Sequence, residues 1–233
     1  MIVALDYPSG AEARKLVAAL HAEVRIYKIG LELICADGLQ LAGMLVESGS
    51  RVFLDAKFLD IPNTVERATA NAAQLGASFL TVHGTDLKTL DAAMRGRGTS
   101  ETKLLAITVL TSLDAADLES QGIKLDLSEL VLRRAAMARE AGFDGVVASA
   151  QEAEAIRREF GPDFLIVTPG IRPADATASD QSRVVTPSTA IAAGADYLVV
   201  GRPITAAADP YRAADRIIAE IETALASEQD HFR

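Results

Sequence analysis

Residues 55–64 read Asp-Ala-Lys-Phe-Leu-Asp-Ile-Pro-Asn-Thr, and they crowd two carboxylates and an ammonium group into one short segment. Residues 51–54, Arg-Val-Phe-Leu, have the pattern of a short buried strand that runs straight into Asp55. Side chains alternate along a strand, so Asp55 and Lys57 are expected on one side, with Ala56 on the other. Asp60 follows where the chain leaves the strand, and Ile61-Pro62-Asn63-Thr64 has the form of a helix entry, with proline where a backbone donor has no partner. Gathering such charges is costly unless they pair or do chemistry. Paired around a substrate, they would form an acid held in a fixed electrostatic field. An ordinary surface ion-pair cluster is the competing explanation, and this stretch alone does not separate the two.

The elements that must position these groups alternate along the chain. Strand-like runs fall at 2–6, 25–29, 51–55, 79–83, 104–109, 145–148, 164–168 and 197–200, with helical patterns between them such as 11–20, 65–75, 127–140 and 153–160. Several helices are expected to stop at Gly76, Gly142 and Gly161. Eight such units with near-continuously apolar strands indicate parallel strands covered by helices. The expected fold is a single-domain (β/α)8 TIM barrel over residues 1–226, with 227–233 as a frayed tail. An open doubly wound sheet is the alternative. Against it, the first strand is followed by Asp6-Tyr7-Pro8-Ser9-Gly10 and not by Gly-x-Gly-x-x-Gly.

Polar residues recur at the expected strand ends: Asp6, Lys28, Asp55 with Lys57, His83, Thr111-Ser112, Arg172, and Gly201-Arg202. A barrel brings those ends to one rim, where such folds build their sites. Their convergence favours a functional cluster over a structural one. The segments after the seventh and eighth strands have the makings of a phosphate site. In Val200-Gly201-Arg202-Pro203 the strand passes through glycine into a short helix, and Arg172 offers a second cation.

Composition narrows the partners. The net charge of −9 disfavours nucleic acid and anionic membrane surfaces as partners, although a local site can still be basic. No apolar run approaches the roughly 18 residues of a membrane helix, and the start, Met-Ile-Val-Ala-Leu-Asp, lacks a secretory n-region. The one cysteine, Cys35, excludes an internal disulfide, is expected to be a buried small apolar residue, and fits a cytoplasmic location.

The stretch 55–64 closely resembles the signature of the orotidine 5′-phosphate decarboxylase family. The resemblance covers nearly the whole chain and includes Tyr27-Lys28-Ile29-Gly30, Val109-Leu110-Thr111-Ser112, Thr168-Pro169-Gly170-Ile171-Arg172, Asp180-Gln181-Ser182-Arg183 and Val200-Gly201-Arg202. Asp-x-Lys-x-x-Asp alone points to a broader suprafamily, and the Ile-Pro-Asn-Thr extension makes the match specific. Leu59 departs from it, since many members have histidine there. The resemblance implies conversion of orotidine 5′-phosphate (OMP) to UMP and CO2 without metal or cofactor. Asp6 and Lys28 would hold the ribose hydroxyls, Asp55 would sit beside the substrate carboxylate, and Lys57 would protonate C6. Thr111 would meet the pyrimidine edge, and Arg172, Gln181, Gly201 and Arg202 would grip the phosphate. Asp60, Ile61 and Thr64 would complete the site of a neighbouring subunit in a homodimer.

That chemistry suits the residues. Decarboxylation at C6 leaves an electron pair that the ring π-system cannot delocalise, so a protein can supply only a cationic field and a placed acid. Phosphate binding would also close the segment 170–187 over the site. A metal-dependent sugar-phosphate lyase of the same suprafamily would place glutamate where this chain has Lys28, which offers a metal no oxygen. A non-catalytic nucleotide-binding barrel would need the phosphate grip but not Lys57 between Asp55 and Asp60. His83 is expected to be a hydrogen-bonded rim residue, and Asp86 a helix cap.

Overall fold

The computed structural model describes residues 1–20, 23–173 and 185–231, with backbone alone for 228–231. Eight strands form its centre: β1 (Ile2–Ala4), β2 (Ile26–Ile29), β3 (Arg51–Phe58), β4 (Phe79–His83), β5 (Lys103–Ile107), β6 (Gly145–Val147), β7 (Leu165–Thr168) and β8 (Tyr197–Val200). All are parallel, each pairs with the next, and Ile2 opposite Val199 joins β1 to β8, closing the barrel. The helices are α1 (Gly10–Leu20), α2 (Leu31–Ile34), α3 (Gly38–Glu47), α4 (Pro62–Gln74), α5 (Leu87–Arg97), α6 (Ala115–Ser120), α7 (Leu127–Ala141), α8 (Ala150–Phe160), α9 (Pro187–Ala192), α10 (Arg202–Thr205) and α11 (Pro210–His231).

Strand alternation divides the apolar residues into two cores. Ile2, Ala4, Ile26, Phe53, Phe79, Leu105, Val167 and Val199 fill the barrel interior, while Val3, Tyr27, Val52, Leu54, Leu80 and Val82 pack outward under the helices. This is why the strands read as continuous apolar runs: both faces are buried. The interior is closed at its lower end, where the Arg51 guanidinium lies 5.0 Å from the ring centre of Phe79 and 5.9 Å from that of Tyr197.

Helix ends follow local chemistry. Asp86 caps α5, its carboxylate accepting from the Thr89 N–H at 2.9 Å, as expected. Gly142 and Gly161 end α7 and α8, and Gly76 follows the C-cap of α4, all at positive φ. Some expected boundaries move. β1 stops at Ala4 and β5 at Ile107, leaving Asp6 and Val109 on the connections above the barrel, whereas β3 runs past Asp55 to Phe58. Residues 227–231, read from sequence as tail, continue α11 in helical backbone. Cys35 is exposed rather than buried, because it caps the one-turn helix α2 on the outer surface of the β2–α3 connection. Among the described residues no helix is long and apolar enough to cross a membrane.

Candidate active site

Strand register lines up the charged residues before any side chain is placed. Ala4 pairs with Lys28, and Lys28 with Phe53, so Asp6 and Asp55, two residues beyond each partner, flank Lys28 one step higher. The side chains complete the line. Lys28 Nζ lies 2.9 Å from Asp6 Oδ1 and 3.5 Å from Asp55 Oδ2, and Lys57 Nζ lies 2.8 Å from the same Asp55 oxygen. An ammonium therefore stands between the two carboxylates. Gly30 clears the space: a Cβ there would sit 2.9 Å from Lys28 Nζ and 3.1 Å from Asp6 Oδ1.

Lys57 reaches its position by an irregular route. Leu54 pairs with Leu80 and Phe58 with Val82, so Asp55, Ala56 and Lys57 together face Thr81 alone. Within this bulge Lys57 takes a φ of 51°, and among the described residues it is the one non-glycine in the left-handed region. Such a conformation costs about 1–2 kcal/mol for an ordinary L-residue, and bulges of this kind re-aim side chains beside active sites. Burial by itself would raise the Asp55 carboxyl. Lys28, Lys57 and hydrogen bonds from Lys57 and Thr81 outweigh that and hold it below its ordinary value. The result is a buried carboxylate fixed between two ammonium groups.

Above this floor opens a cavity of about 630 Å³, lined by Asp6, Lys28, Asp55, Lys57, Thr111, Arg172, Gly201 and Arg202 among others. Its deepest apolar wall is Phe53, Ile107, Val147 and Val199, and the two arginines stand on the side of β7 and β8. Its size is in the range that takes a drug-sized or nucleotide-sized ligand. Arg172 is buried, and its backbone N–H donates to Val185 O at 3.0 Å, beside the bridge between Ile171 and Val185. Gly201 leads directly into α10, as the sequence suggests.

The structure does not bring every expected residue into this cavity. Asp60, Ile61 and Thr64 are exposed at the start of α4 and do not line it; Asp60 instead accepts from the Ile61 N–H at 2.6 Å. Gln181 and most of the segment 170–187 lie outside the described residues. His83 is half-buried. Desolvation, then the nearby charges of Lys57 and Arg134, lower its pKa from 6.5 against an opposing pull from Asp55. Two residues escaped the sequence reading. Glu32 lines the cavity from α2, and Thr81 lies beneath it, bonded to both Asp55 and Lys57. Thr81 had a legible signal, since it shares the inward face of β4 with Phe79 and His83 and interrupts an apolar strand.

A closed (β/α)8 barrel with a charged array and two arginines at its C-terminal rim has the build of a barrel enzyme. Comparison with known proteins resolves the class. Residues 1–217 match the model of the orotidine 5′-phosphate decarboxylase / HUMPS family, and the chain belongs to that family. It is 52% identical over 226 residues to an orotidine 5′-phosphate decarboxylase of Bradyrhizobium sp. (strain ORS 278), covering 97% of this chain and 93% of the relative. It is 54% identical over 224 residues to one from Methylorubrum extorquens (strain PA1), covering 96% of each. Among solved structures, the orotidine 5′-phosphate decarboxylase from Lactobacillus acidophilus superposes with a TM-score of 0.83 at 38% identity, over 95% of this chain and 98% of that one.

Proposed function

We propose that this protein is an orotidine 5′-phosphate decarboxylase, a carboxy-lyase that converts OMP to UMP and CO2 in de novo pyrimidine biosynthesis. The observation that carries the reading is the alternation Asp6–Lys28–Asp55–Lys57 across the cavity floor, with Lys57 Nζ 2.8 Å from Asp55. The arginines at the far side give the nucleotide its orientation, phosphate toward Arg172 and Arg202 and pyrimidine toward the lysines. Thr111 meets the pyrimidine edge, Asp6 and Lys28 hold the ribose hydroxyls, and Gln181 belongs to the phosphate grip.

In the reaction the bond from C6 to the carboxylate carbon breaks and CO2 leaves, with the electron pair remaining on C6 in the plane of the ring. Lys57 then gives a proton to C6 and is reprotonated from water. The field of the two ammonium groups is in place before charge develops, so little reorganisation is needed. No metal or cofactor takes part. Phosphate, remote from the reacting carbon, contributes binding energy that orients it.

The working unit is a homodimer in which Asp60, Ile61 and Thr64 of each subunit complete the other's site. Support comes from their outward placement and from the exposure of Leu31, Leu59, Ile61 and Leu87, which follow the ends of three neighbouring strands. A cytoplasmic location is part of the same reading. Loss of the ultraviolet absorbance of OMP, followed with EDTA present, tests the activity. Rapid consumption is expected; absence of turnover, or turnover abolished by EDTA, would count against it.

A further inference from the structure

Thr81 is completely buried in the middle of β4, and its hydroxyl is used twice. It donates to Asp55 Oδ1 at 2.9 Å and accepts the backbone N–H of Lys57, also at 2.9 Å. Asp55 is thereby divided between partners: one oxygen takes the lysines and the other takes Thr81. The second bond has a separate purpose. The bulge removes Lys57 from strand register, so its N–H needs a side-chain acceptor or would be buried without one. The other side of Thr81 is rigid, because β4 keeps unbroken register with β5 from Phe79 to His83. One hydroxyl therefore connects a strand in regular geometry to the irregular one carrying both charged groups.

We infer that Thr81 is a positioning residue for the decarboxylation, holding the Asp55 carboxylate and the left-handed backbone of Lys57 in one fixed relation. This rests on the decarboxylase reading for its kinetic consequence but not for its structural one. Thr81 does not line the substrate cavity, so it acts through its two neighbours and not on the nucleotide. Valine has nearly the same shape and lacks the hydroxyl. With it, Asp55 Oδ1 and the Lys57 N–H both lose their partner, and the ion pair with Asp55 is left to hold Lys57 in the left-handed region. Serine keeps both hydrogen bonds and loses one methyl group.

Thr81→Val and Thr81→Ser are compared with the wild-type enzyme for OMP turnover, UMP affinity and crystal geometry. Thr81→Val is expected to lower kcat on the order of 10- to 100-fold, with KM and UMP affinity within about threefold and serine recovering most of kcat. In the unliganded Thr81→Val crystal the Lys57–Asp55 pair is expected to open, or the Lys57 φ to turn negative. A Thr81→Val enzyme with wild-type kcat, or one whose serine counterpart is equally impaired, overturns the proposal. An unchanged Lys57–Asp55 geometry in the crystal overturns it as well. Wild-type inactivity toward OMP would instead overturn the decarboxylase reading, and the crystal geometry would then decide the role of Thr81 by itself. If the valine variant does not fold, a serine variant with kcat reduced as far as 10-fold overturns the proposal, and one near wild type supports it.

Discussion

Lys57 Nζ stands 2.8 Å from Asp55 Oδ2, and the two residues belong to a bulge in which three positions of β3 face one position of β4. The pair is thus made by an interruption of the strand and not by its regular alternation. The bulge also explains how an ammonium can sit so close to its own strand neighbour while still pointing into the cavity.

In the proposed mechanism, replacing Lys57 with alanine removes both the acid and half of the cationic field. Turnover of OMP is expected to fall by at least about 1,000-fold. UMP should still bind, because the arginines and Thr111 proposed to hold it are untouched. An ultraviolet assay beside a calorimetric titration with UMP separates the two effects. Retained turnover would remove Lys57 from the mechanism.

Gly30 is a second sensitive position, for spatial reasons. Its φ of −96° suits any residue, so alanine introduces no backbone strain. The added Cβ would meet Lys28 Nζ at 2.9 Å and Asp6 Oδ1 at 3.1 Å, and those side-chain ends can swing away at little cost in stability. Gly30→Ala should therefore leave Tm nearly unchanged and lower kcat/KM on the order of 10- to 100-fold. A large loss of Tm with normal kinetics would contradict this.

Acid should act on stability through His83 first. Its folded pKa lies below 6.5, from burial and then from Lys57 and Arg134. As pH falls below 6.5 the unfolded chain takes up this proton before the folded one, so stability present above 6.5 declines toward the folded value. The Asp55 carboxyl, held below 3.8, adds a second loss at lower pH, as its ion pairs are broken by protonation. Thermal melts of wild type and His83→Gln between pH 7 and pH 5 should diverge, the variant showing the shallower decline. Parallel curves would assign the decline elsewhere.

Mixing subunits tests the proposed sharing of sites. In a hybrid of Lys57→Ala with Asp60→Ala, one site carries both changes and the other carries neither. Random exchange between two inactive parents should restore about a quarter of wild-type activity, as half of the dimers become hybrids with one intact site of two. Activity that stays at the parental level would place Asp60 in its own chain's site or outside any.

Much of this arrangement was legible in the sequence because it follows from period and punctuation. Apolar runs separated by helical patterns give a parallel barrel, and a barrel sends strand ends such as Lys28, Asp55 and Gly201 to one rim. Asp86 read as a cap because its side chain acts on the next turn. What could not be read depends on register between strands that are distant in sequence. The bulge at Asp55–Lys57 exists only relative to β4, and the double use of Thr81 follows from it. Cys35 misled for a related reason: its type suggested burial, and its place at the end of a one-turn helix decided otherwise.

The closure of the barrel beneath Phe53, Phe79 and Tyr197, with Arg51 across the bottom, makes the reaction chamber a dead end. Among the described residues nothing opens through the floor, so what enters backs out by the same mouth. In the proposed reaction, with the nucleotide filling that mouth, CO2 released at the floor would have to slip past the product or wait behind it. The order of departure would then be a matter of traffic, set by how loosely UMP sits between the lysines and the arginines.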